Sequence, residues 1–193
     1  MSTHSDPEVG ARPRVGYLGL GSNLGDRESH LRAAVELLGE RGVEVEAVSS
    51  LYETEPVGEV LDQADFLNAA IRVRTDREPE VLLDLCKEIE AERGRALDAP
   101  RHSPRPLDVD LLLLGDLQLS TDRLTLPHPE VTSRRFVLAP LLELDPGLTL
   151  PDGTRLADAL ASLGPDQRAE RIDHPFRMSD SAMDPEKTQE GRS

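Results

Sequence analysis

The spacing of apolar side chains changes along the chain between the period of a strand and the period of a helix. Alternation or short apolar runs predict strands at 15–20, 43–52, 66–74 and 107–114, with shorter extended segments near 117–119, 124–129 and 148. Helical spacing predicts one helix capped by Asp26 and ended by Gly39 and Gly42, a second from Pro79 to Gly94, a third at 133–144 and a small one before residue 163.

These elements favour an α+β fold. The elements form two halves, each with the order strand, helix, strand, and antiparallel strands lie between the halves. This arrangement is typical of a ferredoxin-like α/β sandwich, in which helices pack on a central, mostly antiparallel sheet. The expected domain spans 15–163. Residues 1–14 and 164–193 are polar and rich in Ser, Pro and charge, which is typical of disordered tails.

Composition narrows the function classes. The chain has 193 residues and a formal net charge of −15, which argues against nucleic-acid binding. Cys86 is the single cysteine, so a disulfide framework and a cysteine metal cluster are excluded. We expect no membrane contact, because no apolar run approaches the length of a membrane span. With no signal-peptide pattern at residues 1–13, a cytoplasmic protein is expected.

The segment from Arg101 to Asp110 carries the candidate chemistry. Asp108 and Asp110 are two residues apart on a predicted strand, so both carboxylates face the same side. Like charges that close repel unless a cation lies between them, and Mg²⁺ prefers oxygen ligands. Arg101 and Arg105 stand just upstream, and guanidinium groups pair well with phosphate. The pattern indicates a metal-bound polyphosphate, whereas the simpler interpretation is an edge strand with a polar face.

Two other stretches have both a functional and a structural interpretation. The glycines of 19–25 (GLGSNLG) follow a strand, but the third comes one residue too late for a dinucleotide-binding motif, and a tight turn explains them. Phe66 and Asn68 share one face of a strand and could bind a flat heterocycle, although a surface strand face gives the same pattern.

Six segments, in order, resemble the 6-hydroxymethyl-7,8-dihydropterin pyrophosphokinase family of the folate pathway. They are 19–27 (GLGSNLGDR), 52–58 (YETEPVG), 62–70 (DQADFLNAA), 94–95 (GR), 101–115 (RHSPRPLDVDLLLLG) and 124–140 (LTLPHPEVTSRRFVLAP). The resemblance implies a monomer with a ferredoxin-like sandwich. It also implies an ATP-dependent diphosphotransferase, which moves pyrophosphate from ATP to the pterin hydroxymethyl group and releases AMP.

The resemblance assigns roles to individual residues. Asp108 and Asp110 match the ligands of two Mg²⁺ ions, and Arg95 and Arg105 match catalytic-loop arginines. The pterin-binding positions fall on Thr54, Phe66, Asn68 and Phe136. The ATP-binding positions fall on Glu90, Arg101, Arg105, Leu111, Arg123, Thr125, His128 and Arg134.

The chain departs from the family pattern at several positions. Residues that differ from those common in the family are Glu55, Lys87, Leu97, His102 and Pro129. These departures affect individual ATP and pterin contacts. Two alternatives to the pyrophosphokinase are a Mg²⁺-dependent nucleotidyltransferase, which would release pyrophosphate, and a non-catalytic ferredoxin-like ligand-binding module, which would show no turnover.

Overall fold

The computed structural model describes residues 12–56, 63–95, 103–173 and 176. Eight strands and four helices follow one another in this described part of the chain. In order they are β1 (Arg14–Ser22), α1 (Arg27–Glu40), β2 (Glu44–Val48), β3 (Tyr52–Thr54), β4 (Phe66–Thr75), α2 (Pro79–Glu92), β5 (Asp108–Leu114), β6 (Leu119–Ser120), β7 (Thr125–Leu126), α3 (Arg135–Leu144), α4 (Leu156–Ser162) and β8 (Glu170–Arg171).

One antiparallel sheet forms the centre of the fold. Its strand order is β5-β1-β4-β3-β8, and β2 also pairs with β4. The short strands β6 and β7 pair separately. The apolar sides of α1 and α2 share a core with one face of the sheet, and α3 and α4 pack on the other. The predicted α+β architecture, a mainly antiparallel sheet with helices packed on it, is therefore confirmed.

Strand β4 shows how the two cores are separated. Leu67, Ala69, Ile71 and Val73 enter the core with α1 and α2, as the alternating pattern predicts. Ala70 points to the opposite side and joins the core with α3 and α4. Further along that side, toward the start of β4, the apolar packing gives way to a cavity.

Two helix ends follow the cap residues that the sequence predicts, whereas α1 continues through Gly39 to Glu40, and Gly42, with a φ of +80°, comes after it. Asp26 Oδ1 accepts a hydrogen bond from the Ser29 backbone N–H at 3.1 Å and so caps α1. At the end of α2, Gly94 has a φ of +91°, in the left-handed region that favours glycine. No helix in the described ranges is long and apolar enough to cross a membrane.

The predicted strand at 43–52 is divided into two strands. Ser49 lies between β2 and β3, and its hydroxyl accepts the Ala70 backbone N–H at 2.9 Å. A side chain thus takes the place of a backbone acceptor at this point of the sheet. Periodicity cannot reveal this replacement, because it depends on where Ala70 lies in the folded sheet.

The segment after Leu163 belongs to the fold as far as residue 173, contrary to the predicted tail at 164–193. Strand β8 pairs with β3, and the Ile172 N–H donates to the Leu51 carbonyl at 2.8 Å. Gln167 Oε1 accepts the Arg135 N–H at 2.8 Å and so satisfies the start of α3. A short, polar strand carries too little apolar alternation to be recognised in the sequence. Residues 1–11, 174–175 and 177–193 of the predicted tails lie outside the described residues.

We expect truncation after Asp166 to lower the free energy of unfolding by roughly 1–3 kcal/mol, because it removes Gln167, β8 and the partly buried Ile172 and Phe176. Urea denaturation measures the change. Truncation after Phe176 is the matched control and should leave stability unchanged. Equal stability of the two shortened chains would contradict a structural role for Gln167, β8, Ile172 and Phe176.

Candidate active site

The two aspartates of β5 face one cavity from neighbouring positions. Asp108 and Asp110 both line it, whereas Val109 between them is buried in the core. Opposite them on β1, Gly21 pairs with Asp108 and Gly19 with Asp110. The period-two prediction for this strand is therefore confirmed in the geometry.

Gly19 and Gly21 keep this side of the sheet open. Both lie inside β1 and not in the turn that the sequence suggested. A Cβ atom on Gly21 would lie 3.1 Å from Asn68 Oδ1 and 3.9 Å from the Asp108 Cβ, which is crowded against Asn68. A side chain here would displace Asn68 and narrow the cavity between the carboxylates and β4. The Gly-rich stretch thus has a role in the shape of the cavity.

Asp108 is held by two guanidinium groups. Arg95 Nη1 donates to Asp108 Oδ1 at 2.5 Å, and Arg105 Nη2 lies 3.1 Å from Asp108 Oδ2. Asp110 has no ion pair within the described ranges. Burial, followed by the charge of Asp108, raises the pKa of Asp110 to about 7. A cation close to both carboxylates would lower the free-energy cost of ionising Asp110.

Glu90 lies behind the carboxylate strand and is only 2% exposed. Its Oε1 accepts the Val109 backbone N–H and the Lys87 ammonium, each at 2.8 Å. Its Oε2 accepts Arg95 Nη1 at 2.6 Å. Burial raises the pKa of Glu90, and Lys87 acts against this shift. The ATP-binding position that the resemblance assigns to Glu90 is thus occupied by a buried carboxylate outside the cavity lining.

The proposed pterin-binding residues meet at the other side of the cavity. Thr54, Phe66, Asn68 and Phe136 all line it, although they come from β3, β4 and α3. Asn68 Nδ2 donates to Thr54 Oγ1 at 2.7 Å, which fixes the orientation of the amide. The guanidinium carbon of Arg105 lies 5.4 Å from the centre of the Phe66 ring. Two aromatic side chains and a fixed amide are suited to a flat, polar ring system.

The proposed ATP-binding residues are only partly brought together. Arg134 lines the cavity and pairs with Glu130 at 2.7 Å. His128 accepts the Glu130 backbone N–H on Nδ1 at 3.2 Å. Burial lowers the pKa of His128 despite the opposing charges of Glu130 and Asp108, so the ring is neutral at pH 7.

The remaining proposed ATP contacts do not line the cavity. Arg123 is 52% exposed and pairs with Glu80 and Asp84 of α2. Thr125 is exposed on β7, and the Leu111 side chain is buried in the core. Only backbone groups of Leu111 are therefore available for a ligand. Arg101 lies outside the described residues, as do the sequence departures Leu97 and His102.

Asn23 connects the segments on both sides of the cavity, a role that sequence reasoning missed. Its N–H donates to the Arg105 carbonyl at 3.2 Å, and its Oδ1 accepts the Arg105 N–H at 2.9 Å. Its Nδ2 donates to Gln63 Oε1 at 2.8 Å and to the Ala64 carbonyl at 3.3 Å. Asn23 thereby fixes Arg105 and the chain leading into Phe66. The only signal in the sequence was a polar residue directly after a glycine-rich strand, and the structure adds that Asn23 is 3% exposed.

Comparison with known proteins supports a single family. The family model for 7,8-dihydro-6-hydroxymethylpterin-pyrophosphokinase (HPPK) matches residues 17–146. A 2-amino-4-hydroxy-6-hydroxymethyldihydropteridine pyrophosphokinase from Bacillus subtilis is 48% identical over 131 residues, which are 67% of this chain and 77% of the relative. The enzyme of the same name from Methylorubrum extorquens is 45% identical over 150 residues, covering 77% and 93% of the two chains.

A solved structure shares the fold. The crystal structure of Plasmodium falciparum HPPK-DHPS with STZ-DHP matches with a TM-score of 0.63 at 15% sequence identity. The match covers 80% of this chain but only 46% of that one, so the chain spans less than half of that protein. At this identity the likeness shows the fold alone, and it agrees with the predicted ferredoxin-like sandwich.

We expect Asn23→Ala to lower the free energy of unfolding by about 1–3 kcal/mol, because a buried site loses its partners for the Arg105 N–H and the Ala64 carbonyl. Hydrogen exchange of the Arg105 amide should become faster. Asn23→Asp is the control, since it retains an acceptor for that amide and should preserve its protection. Unchanged exchange in Asn23→Ala would show that Asn23 does not hold Arg105.

Proposed function

The chain belongs to the 7,8-dihydro-6-hydroxymethylpterin-pyrophosphokinase family, and on this basis we propose how its cavity carries out the reaction. The enzyme transfers pyrophosphate from ATP to 6-hydroxymethyl-7,8-dihydropterin and forms AMP and the pterin diphosphate in folate biosynthesis. Membership of this family decides against the nucleotidyltransferase and the non-catalytic module that the sequence left as alternatives.

The observation that carries the proposed site is the cavity shared by the carboxylate pair and the aromatic pocket. We propose that the pterin ring lies between Phe66 and Phe136, with Asn68 and Thr54 hydrogen-bonded to its edge. In this position its hydroxymethyl group would point toward Asp108 and Asp110. Both substrates would then meet without a change in the fold of the sheet.

Asp108 and Asp110 fit Mg²⁺ because proteins bind this ion through one or two carboxylates, with waters and substrate phosphates completing the coordination. The described ranges contain no group of three or more His, Cys, Asp or Glu that could hold a metal by itself, which agrees with coordination shared by the substrate. When bound, two Mg²⁺ ions would neutralise the phosphates and hold them for in-line attack. The number of ions rests on the family resemblance.

The cationic side chains are proposed to act on the phosphates. Arg105 is within reach of both Asp108 and Phe66, so it can follow charge that develops between the two substrates. Arg95 is placed on the other oxygen of Asp108. Arg134 and the neutral His128 are proposed for the nucleotide side. Arg101, Arg123 and Thr125, together with the Leu111 backbone, stay predictions from the resemblance.

The monomeric state and the cytoplasmic location also stay predictions from the sequence. Light scattering coupled to gel filtration would test the first. A mass of one chain, 21.2 kDa, is expected.

The reaction is tested by product analysis of the wild-type enzyme with ATP, Mg²⁺ and the reduced pterin. We expect AMP and pterin diphosphate in equal amounts, because both distal phosphates leave together. Chromatographic separation of the nucleotides gives the answer. Accumulation of ADP, or AMP formed without consumption of the pterin, would contradict the proposed function.

Asp108→Asn and Asp110→Asn should each lower kcat by about a hundredfold or more, because each removes a proposed metal ligand. Their effects on the metal-free protein should differ in sign. Asp108→Asn loses ion pairs to Arg95 and Arg105 and should be destabilising. Asp110→Asn removes a partly buried charge and should raise the free energy of unfolding at pH 8 by roughly 1–4 kcal/mol.

The pH dependence of the Asp110→Asn effect follows from the raised pKa. The carboxylate has a pKa of about 7 in the fold against its ordinary value of 3.8, so its ionisation opposes folding above pH 3.8. The stability gain should be full above pH 7, shrink as the pH falls through 7 and vanish below 3.8. Urea denaturation with EDTA measures it, and a gain that grows toward low pH would contradict the assignment.

Phe136→Ala should raise KM for the pterin by about tenfold or more and change KM for ATP by less than about threefold, because the ring is proposed to stack on the pterin alone. Steady-state kinetics with each substrate varied in turn measures both constants. Phe176→Ala is the control, because Phe176 packs against the core that contains α1 and α2 and does not line the cavity. It should change neither constant. Equal increases in both constants would argue against a pterin-specific pocket.

A further inference from the structure

Glu90 is surrounded by donors that leave it no access to a nucleotide. The Val109 N–H and the Lys87 ammonium occupy Oε1, and Arg95 occupies Oε2. The residue is 2% exposed and does not line the cavity. A buried carboxylate with these partners is committed to holding other protein groups.

The first group that Glu90 holds is the carboxylate strand. β5 is the last strand in the sheet order and pairs with β1 on one side. The Val109 N–H, between Asp108 and Asp110 in sequence, donates to Glu90 Oε1. A buried backbone N–H without an acceptor is costly, so Glu90 supplies what a neighbouring strand would otherwise provide. This hydrogen bond ties α2 to the middle of the carboxylate pair.

The second group is Arg95, which Glu90 holds through both main chain and side chain. At the end of α2 the Gly94 N–H donates to Ala91 O at 3.0 Å, and the Arg95 N–H donates to Glu90 O at 3.1 Å. These two bonds and the positive φ of Gly94 form a Schellman motif with Arg95 directly after the glycine. The carboxylate of Glu90 then receives the Arg95 guanidinium, which also contacts Asp108.

We propose that Glu90 is a positioning residue that fixes the Arg95 guanidinium against Asp108, and that it does not bind the nucleotide itself. This inference rests on the proposed function, in which Arg95 and Asp108 act on the phosphates. Lys87 supplies a second cation to Glu90, so the buried carboxylate keeps a partner when Arg95 turns toward the substrate. Glu90 thus fixes the position of the Arg95 guanidinium before the substrates bind, and Lys87 compensates its charge when Arg95 moves to the phosphates.

Glu90→Gln tests the proposal, since the amide retains an oxygen for the Val109 N–H but loses the charge that attracts Arg95. We expect kcat to fall by about tenfold or more, with Kd for Mg-ATP within about twofold of wild type. In an Arg95→Ala background, the same substitution should change kcat by less than about twofold, because its effect passes through Arg95.

Glu143→Gln is the matched control. Glu143 is also a helix glutamate that holds groups near the sheet, Tyr52 and Ser50, and like Glu90 it does not line the cavity, but its partners do not include Arg95 or Asp108. Its substitution should lower Tm without changing kcat, which separates positioning from general stability. Should Glu90→Gln not fold, Glu90→Asp keeps the buried charge but withdraws the carboxylate from Arg95 by one methylene. It should also lower kcat in the wild-type background and not in the Arg95→Ala background.

Two results would overturn the proposal. A Kd for Mg-ATP raised about tenfold with unchanged kcat would make Glu90 a nucleotide ligand. An equal loss of kcat with and without Arg95 would show that Glu90 acts through another group. NMR of guanidinium rotation in the ligand-free protein adds a readout independent of turnover. The Arg95 guanidinium should rotate slowly in the wild-type protein and faster in Glu90→Gln. If the wild-type enzyme forms no AMP, the proposed function is contradicted, and the rotation measurement still tests the role of Glu90.

Discussion

The repulsion between Asp108 and Asp110 is the constraint on which the rest of the site depends. Two carboxylates on one face of a strand, partly removed from water, oppose folding unless positive charge is close. Arg95 and Arg105 supply this positive charge next to Asp108. Asp110 is left with a raised pKa, so the ligand-free protein keeps a cost that a bound cation would remove.

The same arginines connect this charge balance to the substrates. In the proposed mechanism each exchanges a carboxylate for a phosphate, which is the kind of positioned electrostatic stabilisation that phosphoryl transfer requires. Their backbone anchors differ. Arg95 follows the glycine that ends α2, while Arg105 is held by the backbone and side chain of Asn23. The anchors fix the backbone of each arginine, and in the proposed mechanism the guanidinium groups change partner.

The sheet supplies rigidity and space at the same time. Helices cover both of its faces, yet Gly19 and Gly21 leave room beside the carboxylates, and Phe66 and Asn68 line the opposite side of that room. A site built on strands keeps its geometry better than one built on loops alone. Rigid strands beneath the cavity, with arginines anchored at its edge, are suited to holding two substrates in line.

The sequence by itself determined the parts of the protein that depend on neighbours along the chain. The period-two aspartates, the Asp26 cap, the Gly94 helix end and the alternating faces of β4 all follow from local geometry. The ordered motifs were enough to recognise the family. The tertiary structure alone decided the roles of Ser49, Asn23 and Glu90, the open face at Gly19 and Gly21, and the packing of 164–173 on the sheet. Each of these depends on a contact between residues distant in sequence, and local periodicity carries no information about which distant groups will meet.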